Sequence, residues 1–165
     1  MNEQTITFDY AETGTGPAIL FLPGSFGTST GWKAVLGHLG DSYRMVTTSL
    51  LGYGTTPDTR PDGNATMAQQ VDLIDRIIER IGTAPHVVAH SYGGLSALVH
   101  ALTGQRRSRS LLLIEANPLG LLHAAGDLGH YAQFELMTRP YFAAFEQGDA
   151  DEPATDDGAG DRALG

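Results

Sequence analysis

Four short apolar runs punctuate the chain: PAILFLPG (17–24), YRMVTTSL (43–50), APHVVAHS (84–91) and RSLLLIEANP (109–118). Each is too short for a buried helix, and several end at glycine, proline or serine. Continuous runs of this length suit strands buried on both faces. Helix-like stretches separate them. TSTGWKAVLGHLG (28–40) places Trp32, Val35, Leu36 and Leu39 at helical spacing, although Gly37 weakens it. Val71, Ile74, Ile77, Ile78 and Ile81 recur at three and four residues and form one apolar stripe. Thr66 is the expected N-cap of that helix and Gly82 its C-terminal stop. YGGLSALVHALTG (92–104) is the third helix. Strand–helix alternation of this kind implies parallel pairing with right-handed crossovers. The expected fold is therefore α/β, a three-layer α/β/α sandwich on a mostly parallel sheet. An earlier strand is expected over 4–12, followed by a turn at TGTG.

The same topology locates the site. Parallel α/β sheets bind ligands at the carboxyl ends of their strands. The loops starting at Gly24, Leu51, Ser91 and Ala116 should share that edge. In HVVAHSYGGLSA (86–97) a strand stops at a serine, and a helix of small residues begins at once. Such a corner strains the serine backbone and lifts its side chain above the sheet. Only small neighbours fit, and Ala89 and Gly93 meet that demand. The helix N-terminus adds free N–H groups and a positive dipole end, which would stabilise an oxyanion. A competing reading makes Ser91 a simple N-cap.

AHSYGG resembles the nucleophile elbow of the α/β-hydrolase family, Gly-x-Ser-x-Gly, with Ala89 in the first glycine position. FLPGSFGTSTGW (21–32) is similar to the family's oxyanion loop, with Gly24 and Trp32 matching and Pro23 where a histidine is usual. LLGYGTT (50–56) is similar to the loop Asp-x-x-Gly-x-Gly-x-Ser; Gly52 and Gly54 match, and Ser49 stands where the aspartate would be. The resemblance covers about residues 4–147. It implies Ser91 as nucleophile and the Ser25 and Tyr92 amides as oxyanion donors. Gly24, Phe26 and Leu119 would line the substrate pocket, with Leu121 and Leu122 as further candidate walls; the competing reading makes the three leucines ordinary core. It implies hydrolysis of an ester or related acyl bond in a small-molecule substrate, with no cofactor and no metal. Serine at the elbow speaks against dehalogenase or epoxide hydrolase chemistry, which similar proteins run with aspartate.

A serine nucleophile needs a histidine oriented by a carboxylate. The family order is serine, acid, histidine, and no strand-like run follows residue 118. The expectation is a chain truncated before the final strands, with impaired turnover. Glu115, at the end of the strand beside the elbow, is the candidate acid; the competing reading has it bonding loop backbone. His90 and His86 read as packing residues, and His100 as facing away from the corner. His123, His130 and Asp127 follow the last strand. The alternative function is a non-catalytic remnant that forms a homodimer or binds a partner through the open edge of SLLLIE.

Three segments are expected: the hydrolase core at 1–117, the start of a cap or lid at 118–147, and an acidic disordered tail at 148–165. Within the lid, LGLLHAAGDLG reads as loop or short helix, and 130–148 as one helix or two broken near Pro140. The net charge is −9, of which the tail carries −5. That balance argues against nucleic acid, and no run approaches the roughly 18 apolar residues of a membrane span. With no secretory pattern at the N-terminus, a cytoplasmic location is expected.

Overall fold

The computed structural model describes residues 7–61 and 66–146. The expected tail at 148–165 lies outside the described residues. Two units are present, one ending at Asn117 and the other starting at Pro118.

The first unit is an α/β sheet. Its strands are β1 (Tyr10–Thr13), β2 (Ala18–Leu22), β3 (Arg44–Thr48), β4 (His86–His90) and β5 (Ser110–Ile114), in the spatial order β1-β3-β2-β4-β5. β3, β2, β4 and β5 pair in parallel, and β1 joins β3 antiparallel. Of the strand expected over 4–12, residues 4–6 lie outside the described residues, 7–9 are not in the sheet, and the strand runs from Tyr10 to Thr13. The turn after it follows from sterics. A Cβ on Gly14 would lie 2.1 Å from the Tyr43 carbonyl oxygen, and its φ is +74°.

Helices α1 (Lys33–Leu39), α2 (Ala68–Ile81) and α3 (Ser91–Thr103) cross between the parallel strands. A 3₁₀ turn over Ser29–Trp32 replaces the first turn of the helix expected from residue 28. Met67, not Thr66, occupies the N-cap of α2, while Gly82 ends it in the left-handed conformation with its N–H on the Ile78 and Glu79 carbonyls. The α2 stripe buries Leu73, Ile74, Ile77, Ile78 and Ile81 against Leu20, Leu22, Val46 and Val87 of the sheet. Val71 is only half-buried. On the opposite sheet face Ile19, Phe21, Trp32 and Met45 form a smaller cluster under α1.

Residue parity makes that second face run on to His86, Val88 and His90 of β4, and to Ser110, Leu112 and Ile114 of β5. There the cover ends. Leu112 is 56% exposed and Ile114 38%. β5 is the outer strand among the described residues, so its edge is open, as its sequence position suggests.

The second unit holds α4 (Leu119–Ala124) and α5 (Leu128–Glu146). The segment after Pro118 thus forms a short helix, and α5 runs through Pro140 without a break in assignment.

Candidate active site

β4 hands over to α3 without a loop: His90 is the last strand residue and Ser91 the first helical one. Ser91 has φ +49°, a conformation that costs a non-glycine residue about 1–3 kcal/mol and persists only where its surroundings over-determine it. Those surroundings are visible. A Cβ on Gly93 would sit 2.3 Å from the Pro23 carbonyl oxygen and 2.8 Å from that of Leu22. A Cβ on Gly94 would sit 2.7 Å from that of Ala116. The helix therefore starts hard against the carboxyl ends of β2 and β5, and small residues at 93 and 94 permit it. The N-cap position belongs to His90, and no side chain caps the helix. Ser91 is therefore not the N-cap that the competing reading makes it.

The loop after β2 meets this corner. A Cβ on Gly24 would lie 2.9 Å from His90 Nδ1 and 3.1 Å from Ser91 Cβ. Residues 24–27 form a tight turn in which the Gly27 N–H donates to the Gly24 carbonyl at 3.1 Å. Phe26 takes φ +62° within it. Its ring is exposed and meets Tyr53 edge-on at 6.1 Å. Ser25 is exposed, and Tyr92 is half-buried with its hydroxyl 3.7 Å from Met67 Sδ. Burial pushes the Tyr92 phenol up, against the pull of the nearby Arg60 guanidinium. A mostly apolar cavity of about 380 Å³ opens beside the loop, lined by Gly24, Ser25, Trp32, Val35, His90 and Ile114 among others.

Glu115, the candidate acid, follows β5 with φ +50° and an exposed side chain. Its Oε2 lies 3.4 Å from His90 Nε2. His90 is thus no packing residue: its side chain is 43% exposed and borders the cavity. Strand parity puts it on the sheet face whose cover ends at β5, so its side chain stays open to solvent. His86, read as a packing residue, bonds the neighbouring strand, and His100 faces away from the corner toward α2, as expected. His86 Nδ1 meets Ser110 Oγ at 2.7 Å. His100 is 2% exposed, and its Nε2 donates to Asp75 Oδ1 at 2.9 Å. Among the described residues no histidine hydrogen-bonds the Ser91 hydroxyl. No group of three His, Cys, Asp or Glu among them could hold a metal ion.

In the second unit Leu119 is half-buried and lines a cavity of about 500 Å³ with Gly120, His123, Tyr131, Phe134 and Glu135. Leu121 is exposed and Leu122 half-buried. The His123 ring stands edge-on to Tyr131, 5.2 Å away. His130 Nδ1 pairs with Asp127 Oδ2 at 2.9 Å, which holds the Asp127 carboxyl below its usual range.

A feature the motif reading missed lies behind the loops. Asp9 Oδ2 accepts hydrogen bonds from Ser49 Oγ at 2.6 Å and Ser29 Oγ at 2.7 Å. The only signal for it in the sequence is a serine at 49, where the loop pattern has a carboxylate.

A parallel sheet with its strained serine at a strand-to-helix corner defines a class, and comparison with known proteins agrees. The profile of the Alpha/beta hydrolase family matches residues 19–164, and the chain belongs to that family. It is 26% identical over 140 residues to a haloalkane dehalogenase of Sphingobium indicum, a match covering 82% of this chain and 45% of that protein. It is 35% identical over 100 residues to the probable lysophospholipase BODYGUARD 4 of Arabidopsis thaliana, covering 58% of this chain and 24% of that one. An alpha/beta hydrolase structure from Sphaerobacter thermophilus shares the fold at TM-score 0.61, over 79% of this chain and 55% of that one, with 20% identity. The chain spans less than half the length of the curated relatives it matches. No helix among the described residues is long and apolar enough to cross a membrane.

Proposed function

We propose that this chain is the nucleophile-bearing part of a serine hydrolase acting on an ester or related acyl bond of a small molecule. The observation that carries the reading is Ser91 itself, held at φ +49° between β4 and the N-terminus of α3. In this scheme the Ser91 hydroxyl attacks the carbonyl carbon and the C–O π pair moves to oxygen. The Ser25 and Tyr92 amides receive that oxyanion, a contribution worth about 10²–10³ in rate per donor. The intermediate collapses to an acyl-serine as the alkoxide leaves, taking up the proton that Ser91 gave up, and water then cleaves the acyl-serine to the acid and free Ser91. Gly24 and Phe26 border the acyl position, and Glu115 is the candidate acid. The chemistry needs no cofactor. A serine in this position, not an aspartate, sets the scheme apart from carboxylate-nucleophile dehalogenation. Because no described base engages Ser91, turnover by this chain alone is expected to be slow. A fluorophosphonate probe and a short aryl ester, applied to the wild type and to Ser91→Ala, test this reading. Labelling and hydrolysis that persist in the mutant would refute it.

The uncovered face of β5 favours a second reading, in which two copies associate through that edge. Leu112 and Ile114 are exposed on an outer strand, the geometry that invites strand pairing. Light scattering should then show a concentration-dependent dimer that Leu112→Lys abolishes. A monomer at every concentration excludes it.

A further inference from the structure

One carboxylate ties together the segments that flank the elbow. Asp9 precedes β1, yet each of its polar groups reaches into the carboxyl edge of the sheet. Its Oδ2 accepts from the Ser49 and Ser29 hydroxyls at 2.6 and 2.7 Å. Its N–H donates to Thr56 Oγ1 at 3.0 Å, and its carbonyl accepts from Thr48 Oγ1 at 2.6 Å. The proton directions then follow. Ser49 Oγ gives its proton to Asp9 and is free to accept the Ser29 N–H at 3.0 Å. Thr56 Oγ1 accepts from Asp9 and gives its proton to the Ser49 carbonyl at 3.0 Å. Thr48, Ser49 and Thr56 are buried. Gly54 leaves the space: a Cβ there would lie 2.6 Å from Ser49 Oγ and 3.2 Å from Asp9 Oδ2. A closed set of donors and acceptors around one anion is stronger than neutral pairs would be.

We propose that Asp9 is a positioning residue that latches the loop carrying Ser25 against the Ser91 corner. The loop from Gly24 to Ser29 is pinned at two ends. Gly24 abuts His90 and Ser91, and Ser29 is held by Asp9 and Ser49 through its hydroxyl and its N–H. Between the pins lie Ser25 and the strained Phe26, whose φ of +62° needs such over-determination. Without the carboxylate, Ser29 loses one bond directly, and Ser49 loses the acceptor that orients its hydroxyl toward the Ser29 N–H. The strain at Phe26 can then relax, and the Ser25 amide drifts. The carboxylate also stands beside the residue that replaces the pattern's aspartate, Ser49, 2.6 Å away. Moving the charge from position 9 to position 49 should therefore preserve the latch.

The kinetic part of the inference rests on the serine-hydrolase reading; the latch does not. Hydrogen exchange separates them. In Asp9→Ala and Asp9→Asn the Gly27 and Ser29 amides should exchange about ten-fold faster or more, the factor one charge-assisted hydrogen bond carries, while α2 amides stay protected. The double variant Asp9→Ser with Ser49→Asp should restore protection. On an aryl ester, kcat should fall in the single variants with KM unchanged and recover in the double variant. Unaltered exchange in Asp9→Ala overturns the latch, as does a uniform rise that includes α2. Failure of the relocated carboxylate to restore loop protection also overturns it. If the wild type turns over no ester while the exchange pattern holds, the hydrolase reading falls and the latch stands.

Discussion

Gly93→Ala tests whether the elbow is built as tightly as the distances say. The added methyl would stand 2.3 Å from the Pro23 carbonyl oxygen and 2.8 Å from that of Leu22. A carbon–oxygen contact settles near 3.3 Å or beyond, so α3 and the end of β2 must part by about 1 Å. Both neighbours are main chain, and no side-chain rotation relieves the clash. Alanine gains about 1 kcal/mol over glycine in a helix. Overpacking costs about 1–3 kcal/mol, and the upper end applies where backbone must move. The net expectation is a loss of about 2 kcal/mol from those two magnitudes. Gly37→Ala is the control. A Cβ there meets nothing within 4 Å, so the same helix gain, about 0.5–1 kcal/mol, should appear undiminished. Urea unfolding followed by Trp32 fluorescence reads both variants. Trp32 is the only tryptophan, 8% exposed, with its ring 5.2 Å from that of Phe21. The shift should also slow probe labelling of Ser91, because a misplacement of about 1 Å can cost 10²-fold. If Gly93→Ala proves as stable as Gly37→Ala, the tight contact between α3 and β2 is wrong.

Other expectations follow from the same distances and burials. Ser91→Gly should raise stability by about 1 kcal/mol in the same urea assay, through relief of its left-handed backbone, while abolishing labelling. Ile77→Ala, at a fully buried site, should cost about 2–5 kcal/mol. Leu112→Ala on the exposed strand face should cost less than about 0.5 kcal/mol; equal losses would mean the β5 face is covered. Asp75→Asn should destabilise at neutral pH. Burial alone would raise the Asp75 pKa, but the Gln105 and Arg106 amides and His100 outweigh it and hold it below the ordinary 3.8. A depressed folded-state pKa gives stability that is complete above 3.8 and lost as pH falls through the folded value. The gap between wild type and Asp75→Asn should therefore narrow below pH 3.8 when urea midpoints are compared across pH.

Much of the site was legible because it depends on local rules. Small residues around Ser91 follow from the close approach of helix and strands, so they are written next to the serine they serve. The geometry of the corner demands a small residue at Gly93, and the structure finds the Leu22 and Pro23 backbone pressed against it, with Ala116 against Gly94. His90 departs from the packing role expected for it for a different reason. Strand alternation gives its parity, but whether that face is covered depends on what packs there, and over β5 the cover stops.

The sequence by itself determined the alternation of strands and helices, the α2 stripe and the serine corner, because periodicity, turn chemistry and steric size act over a few residues. Tertiary structure alone decided that β1 runs antiparallel beside β3, that His90 faces Glu115, and that the carboxylate beside Ser49 comes from Asp9, 40 residues away. Those outcomes rest on contacts between segments that no local pattern relates. They are selected by which groups remain unpaired when the sheet closes.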